Sequence, residues 1–251
     1  VSGFELMHNL EKQAKGFGLQ IETGSIQSLS TEGSGHQKTI MVDGREYQCK
    51  ALIIATGSEP NTLNIDGEEK LTGRGVSYCA TCDGAFFRDK EVAVVGGGDA
   101  AIEEALFLAR LVKKVHIIHR RDQLRAIKIL QERAFAHENM AFIWDSVVEK
   151  IVGEQSVESL VLKNVKNNNT LSLNVEAVFI YVGLHPNTEW LKDTLPLTEQ
   201  GFIDTNDRME TDLTGVFAAG DVRNIVFSQE ATAVGDGSTA AFAAEKFIDS
   251  L

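Results

Sequence analysis

Glu91-Val92-Ala93-Val94-Val95 runs directly into Gly96-Gly97-Gly98-Asp99-Ala100-Ala101, and this stretch restricts the fold more than any other. The short apolar, β-branched run reads as a parallel strand buried on both faces. The glycines make the tight turn. Ile102, Ala105, Leu106 and Ala109 recur on one face of the helix that follows, which Asp99 is expected to cap. Gly96-x-Gly98-x-x-Ala101 matches the dinucleotide fingerprint, in which a pyrophosphate rests on a helix N-terminus. A glycine triplet alone says little; between a strand and a helix it is specific.

The next strand, Val115–Ile118, ends where an acidic residue would bind the ribose hydroxyls of NAD. Here the chain carries His119-Arg120-Arg121, with Arg125 four residues on. Forked, charge-assisted bonds from such a cluster suit a 2′-phosphate, so NADP is expected over NAD. The competing reading is a solvated basic surface at a helix start.

Upstream lies Cys79-Ala80-Thr81-Cys82-Asp83-Gly84. Two cysteines at this spacing bring their sulfurs within bonding reach, and a thiolate there suits thiol–disulfide exchange. Asp83 places a proton-carrying group beside them. Half of a zinc site would need two further ligands, and the only other cysteine, Cys49, has no histidine near it in sequence. Two inert buried thiols are the remaining alternative.

Composition narrows the class. The 251 residues suffice for one large or two modest domains, and 43% hydrophobic content with three prolines is that of an ordinary globular protein. A formal charge of −12 argues against a general nucleic-acid binder. No stretch is long enough to span a membrane, and the first residues do not read as a signal sequence. Three cysteines, two of them in CxxC, point to a reducing compartment, hence the cytoplasm.

Along the chain, Phe4, Met7, Leu10, Ala14 and Phe17 share one face of a helix ending at Gly16 or Gly18. Leu19–Glu22 alternates like a strand. Thr39–Val42 and Glu46–Cys49 form a hairpin about Asp43-Gly44, and Cys49 is expected to pack as an apolar residue. Leu52–Ala55 is a buried strand running into Thr56-Gly57. After the arginines comes a helix with Ile127, Leu130, Ala134 and Phe135 on its apolar side. Strands follow near 141–144, 147–152, 159–165 and 170–175, and Val178–Val182 ends at Gly183. Both halves thus read as parallel strand, helix, antiparallel insert and a strand ending at glycine. Ser58-Glu59-Pro60 and His185-Pro186-Asn187 look like paired crossings between two domains.

Val216–Ala219 then leads into Gly220-Asp221, which can set a carboxylate on ribose-like hydroxyls. Gln229 to Ile248 reads as a long helix rich in small residues. Near its start these admit either a bulky planar ligand or close helix–sheet packing.

Cys-Ala-Thr-Cys-Asp-Gly at 79–84, Gly-Gly-Gly-Asp-Ala-Ala at 96–101, His-Arg-Arg at 119–121 with Arg125, and Phe-Ala-Ala-Gly-Asp at 217–221 together resemble the low-molecular-weight thioredoxin reductases over essentially the whole chain. The resemblance implies an α/β fold of two Rossmann-like nucleotide-binding domains with small antiparallel inserts in three layers. The FAD domain would be discontinuous, residues 1–59 and 188–251, flanking an NADPH domain with the redox cysteines at 60–187. It implies electron flow from NADPH through FAD and the Cys79–Cys82 disulfide to thioredoxin or a thioredoxin-like protein, in a homodimer. Cys82 would lie toward the flavin, Cys79 would react with the partner, and Asp83 would be the acid–base group. NADPH would be held by Gly96, Gly98, Asp99, Ala100, Ala101, His119, Arg120, Arg121 and Arg125. FAD would be held by Ala55, Thr56, Gly57, Gly220, Asp221, Gln229, Glu230 and Ala231.

Two departures from the family pattern stand out. Its members begin with a strand and a GxGxxG turn for FAD, and nothing of the kind precedes Phe4, so a unit of about 30 residues or more is expected to be missing. Ser228 stands where an arginine often helps grip NADPH. Gly183–Thr188 also resembles the flavoprotein component of alkyl hydroperoxide reductase, whose members typically lack His-Arg-Arg and use NADH. A ferredoxin–NADP reductase would lack the CxxC pair. A non-catalytic NADPH-binding module is the alternative from another class.

Overall fold

The computed structural model describes residues 3–32 and 37–251. In chain order the elements are α1 (Gly3–Gly16), β1 (Ile26–Glu32), β2 (Gln37–Val42), β3 (Arg45–Cys49), β4 (Leu52–Ile54), β5 (Ser58–Pro60), α2 (Glu68–Leu71), β6 (Val76–Ser77), α3 (Ala80–Asp83), β7 (Glu91–Val95), α4 (Asp99–Leu108), β8 (Lys114–Ile118), α5 (Lys128–Phe135), β9 (Met140–Ile143), β10 (Ser146–Val152), β11 (Ser159–Asn164), β12 (Thr170–Asn174), β13 (Ala177–Ile180), β14 (Leu184–Pro186), β15 (Val216–Ala218) and α6 (Glu230–Asp249). They divide into two packed units, Glu59–His185 and the combination of Val1–Ser58 with Pro186–Leu251.

In the central unit five strands form one sheet in the order β6-β13-β7-β8-β9. Every pairing in it is parallel; β7 sits in register with β13 at Val92/Ala177 and with β8 at Val92/Val115. Alternation sorts the strand residues onto two faces. Val92, Val94, Val115 and Ile117 meet Ile102, Ala105, Leu108 and Leu130 from α4 and α5. Ala93, Val95, Ile118 and Ile180 meet Ile151, Leu160 and Leu162 of the antiparallel sheet β10-β11-β12. The result is three layers: helices, parallel sheet, antiparallel sheet. Leu108, Ile117 and Leu160 are fully buried, and each such side chain contributes about 1.5–3 kcal/mol over an exposed one.

In the other unit β4 and β15 pair in parallel. Phe217 and Ala219 pack on Ala240, Ala243 and Ala244 of α6, while Ile54, Val216 and Ala218 face Leu29, Leu191 and Ile203. The β2–β3 hairpin turns at Asp43 and Gly44, both with positive φ (47° and 77°), the geometry that the Asp-Gly pair predicts. Lys38 on β2 is fully buried, donates to the Lys50 carbonyl at 2.7 Å, and has its pKa lowered by that burial.

Several expectations need correction. Residues 19–25 form no strand, because among the described residues no strand pairs with Leu19–Glu22; the ladder starts at β1, opposite β2. The α1 helix forms as its period predicts, but none of its residues is buried, and Phe4 and Phe17 are exposed. Ile127 is the N-cap of α5 and lies exposed, outside the helix. Phe135 is exposed, outside the core, and packs on Phe142 and Trp144, which lie partly buried against it. Cys49 is only half-buried, enough for desolvation to raise its pKa.

Candidate active site

Cys79 and Cys82 are joined in a disulfide across the first turn of α3, with Cα atoms 5.3 Å apart. Cys79 is the N-cap, and its Sγ accepts the Cys82 N–H at 3.2 Å. That contact is the kind that stabilises a thiolate at this position. Cys82 is exposed and Cys79 half-buried within this unit. Ser77, at the end of β6, organises the pair from behind: its Oγ accepts the Cys79 N–H at 3.1 Å and lies 2.7 Å from Asp83 Oδ2, to which it donates. Just ahead of the cysteines, the Tyr78 hydroxyl donates at 2.8 Å to Glu68, a buried carboxylate that also takes the Leu63 N–H at 2.9 Å. Burial and the Glu68 bond push the Tyr78 pKa up to about 12.

A cavity of about 310 Å³ opens at the C-terminal ends of β7, β8 and β13, lined by Gly96, Gly97, His119, Arg120, Arg125 and Tyr181 among others. The sheet order reverses beside β7, and ligands of parallel sheets bind at such switch points. Gly96 has φ 150°, and a Cβ there would sit 2.5 Å from the Tyr181 carbonyl oxygen. A Cβ on Gly97 would lie 2.5 Å from the His119 ring. Gly98 faces open space apart from the Arg125 guanidinium, 3.9 Å from the position a Cβ would take. Arg120, Arg121 and Arg125 are exposed, and none of them pairs with a carboxylate among the described residues. Arg121 lies outside the cavity lining.

Two residues of this region act differently from expectation. Asp99 does not cap its own helix, whose N-cap is Gly98 with no side-chain bond. Its Oδ1 instead accepts the Ile127 N–H at 2.7 Å, while Gly97 O accepts the N–H groups of Arg125 (2.7 Å) and Ala126 (3.1 Å). The glycine turn therefore holds the arginine-bearing loop by three consecutive amides. His119 is 5% exposed; burial, then Arg125, Arg121 and Arg120, lower its pKa, so at neutral pH it contributes shape and not charge. Its Nε2 is buried without a partner among the described residues.

In the other unit, adjacent strands β4 and β15 bring Ala55-Thr56-Gly57 and Gly220-Asp221 to the same sheet edge. Thr56 and Asn187 clamp each other: Thr56 Oγ1 donates to Asn187 O at 2.8 Å and Asn187 Nδ2 to Thr56 O at 2.9 Å. Asp221 Oδ1 is buried with no partner among the described residues, and desolvation foremost, then the nearby Asp236 charge, raises its pKa against the opposing effect of a Ser228 hydrogen bond. Asp236 Oδ2 accepts Gly220 N–H at 3.1 Å and Arg223 Nη1 at 2.5 Å. Gln229 is the N-cap of α6 in a capping box with Thr232, and Glu230 and Ala231 begin the helix. Of the small residues, Ala240, Ala243 and Ala244 pack on the sheet, as the close-packing reading expects, while Gly235 and Gly237 face open space. Ser77, Asn187, Tyr181 and Asp236 carry no motif that a single sequence reveals.

A family model described as pyridine nucleotide-disulphide oxidoreductase matches residues 5–237. The chain is 45% identical over 251 residues to a thioredoxin reductase of Treponema pallidum, covering all of this chain and 81% of that protein. It is 44% identical to a thioredoxin reductase of Streptomyces coelicolor, covering 78% of it. The crystal structure of thioredoxin reductase from Streptococcus pyogenes superposes with a TM-score of 0.94 at 44% identity, over 100% of this chain and 82% of that one. The disulfide at the N-cap of α3, the glycine turn and these likenesses agree: the chain belongs to the pyridine nucleotide-disulphide oxidoreductases, and within them to the thioredoxin reductases.

Proposed function

We propose that this protein reduces the disulfide of thioredoxin or a thioredoxin-like protein at the expense of NADPH. The observation that carries the reading is the Cys79–Cys82 disulfide in the same unit as a glycine-turn cavity rimmed by unpaired arginines. The donor set suits both cofactors: Arg120 and Arg125 at the cavity offer forked cations for a 2′-phosphate, and the orphaned, buried Asp221 Oδ1 suits a ribose-type hydroxyl of FAD. When bound, NADPH supplies a hydride and FAD relays its two electrons to the cysteine pair. Residues 60–187 then serve NADPH and the disulfide, residues 1–59 and 188–251 serve FAD, and the working form is a homodimer in the reducing cytoplasm.

The residues of the chain divide the remaining chemistry. The Cys82 amide bonded to Cys79 Sγ favours negative charge on that sulfur, which makes Cys79 the attacking thiolate. Its attack on the partner disulfide forms a mixed disulfide and expels one partner thiolate, to which Asp83, oriented by Ser77, delivers a proton. Cys82 then gives its thiol proton to the vacated Asp83 carboxylate and attacks Cys79 Sγ; the internal disulfide re-forms, and the second partner thiolate leaves and takes up that proton. Incubation of Cys79→Ser and Cys82→Ser proteins with oxidised thioredoxin tests the order, read as covalent complexes on a non-reducing gel. Cys82→Ser is expected to trap the partner and Cys79→Ser to trap none. Trapping by Cys79→Ser alone reverses the roles, and failure of both to lower NADPH-dependent turnover removes the assignment.

A further inference from the structure

The redox turn is held from one side by a pair of side chains to which no role has been given. The Ala80 amide, between the two cysteines, donates at 2.7 Å to the hydroxyl of Tyr181, 101 residues away. Ala80 is fully buried, so water cannot replace that acceptor. Tyr181 has a proton of its own left to place, and Glu104 on α4 is the carboxyl that acts on it most strongly, with Asp83 a weaker influence. One oxygen of that carboxyl, Oε2, is buried without a hydrogen-bond partner among the described residues.

We propose that Tyr181 and Glu104 are positioning residues for the redox turn, Tyr181 holding the Ala80 amide and Glu104 taking the Tyr181 hydroxyl proton in a hydrogen bond, so that Cys79 keeps its place once the disulfide is open. The proposal rests on the reading of Cys79–Cys82 as a redox pair. Burial raises the pKa of Tyr181, which keeps its hydroxyl protonated and able to donate while its oxygen accepts from Ala80.

The two oxidation states depend on the pair unequally. In the oxidised form the S–S bond itself ties residue 79 to residue 82. With that bond open the turn would rely on hydrogen bonds, among them those of Ala80 to Tyr181, Cys79 N to Ser77 Oγ, Cys82 N to Cys79 Sγ and Asp83 N to Cys79 O. Loss of the Tyr181 hydroxyl therefore raises the free energy of the dithiol more than that of the disulfide, and the couple becomes harder to reduce.

The test is a redox titration of the whole protein in mixtures of reduced and oxidised dithiothreitol, with free thiols alkylated and counted by mass. In each event the protein disulfide takes two electrons and two protons from reduced dithiothreitol, which closes to its cyclic disulfide; Cys49 reports complete alkylation throughout. Tyr181→Phe is expected to shift the equilibrium about tenfold toward the disulfide, about 30 mV for this two-electron couple. Glu104→Leu is expected to move it the same way. Glu104→Gln keeps an oxygen acceptor and is expected to stay within about threefold of wild type. A purely structural role would lower the melting temperature of both oxidation states alike and leave the equilibrium unmoved. Wild-type equilibrium constants in both Tyr181→Phe and Glu104→Leu overturn the proposal. A wild-type pair that fails to titrate at all removes the redox reading and this proposal with it.

Discussion

Asp99 is the residue whose structural role departs furthest from its motif, and its removal gives a sharp test of how cofactor choice is built. Its carboxylate fixes the Ile127 amide at 2.7 Å, and Gly97 O fixes those of Arg125 and Ala126. In Asp99→Ala one of these three anchors is lost. A hydrogen bond to a charged acceptor is worth about 1.5–3 kcal/mol when shielded, and this one is exposed, so about 1 kcal/mol is the appropriate scale. That energy comes from the loop presenting Arg125, so it should be lost from binding of the 2′-phosphate. About 1 kcal/mol corresponds to a roughly fivefold fall in kcat/KM for NADPH, carried by KM. NADH has no 2′-phosphate, and its kcat/KM should change by less than about twofold. Asp99→Asn retains an oxygen acceptor and should recover most of the loss. The assay is steady-state reduction of thioredoxin with each nucleotide by the three proteins. Equal losses with NADPH and NADH, or an Asn variant as impaired as the Ala one, would refute the loop-anchoring role.

The other predictions concern shape and charge. In Gly97→Ala the added Cβ falls 2.5 Å from the His119 ring, which stands edge-on to Trp144 with centroids 6.4 Å apart. The ring must move, at about 1–3 kcal/mol of stability by the usual cost of overpacking, and the tryptophan emission maximum should shift with it; an unshifted spectrum with full stability would show that His119 does not pack there. For Asp221 the native pKa lies above its ordinary value, so the folded protein binds the proton more readily than the unfolded chain. Its contribution to stability then increases as pH falls through the native pKa and levels off below the ordinary 3.8. Melting curves of flavin-free wild type and Asp221→Asn should therefore differ most at neutral pH and converge on acidification; a constant difference would refute the shift.

How far the sequence disclosed this arrangement depended on whether the signal was local. The 91–101 unit was legible because strand, turn and helix are each dictated by neighbours in sequence, and the hairpin at Asp43-Gly44 for the same reason. Leu19–Glu22 misled because alternation specifies a face, not a partner, and no strand pairs with it among the described residues. Asp99 misled because capping and loop anchoring need the same residue type, and the competing amide is 28 residues away. Phe135 looked like core by period, but Phe142 and Trp144 occupy that edge of the core and Phe135 packs on their outer side. Ser77, Tyr181, Asn187 and Asp236 were invisible as site residues, since their partners are fixed by the fold and not by spacing.

The glycine turn explains why the cysteines stand immediately before the first strand of the dinucleotide motif. Gly96 abuts the Tyr181 carbonyl so closely that a Cβ would overlap it, which fixes the end of β13 against the turn. The same tyrosine carries its hydroxyl to the Ala80 amide inside the redox turn. The helix α4, which the glycines launch, carries Glu104, whose charge acts on that tyrosine. Two short side-chain steps thus connect the nucleotide cradle to the disulfide within one packed unit. A cysteine pair placed on a surface loop elsewhere would need its own framework to hold sub-ångström geometry through cycles of opening and closing. Inserted between β6 and β7, it borrows the framework that the nucleotide motif already requires.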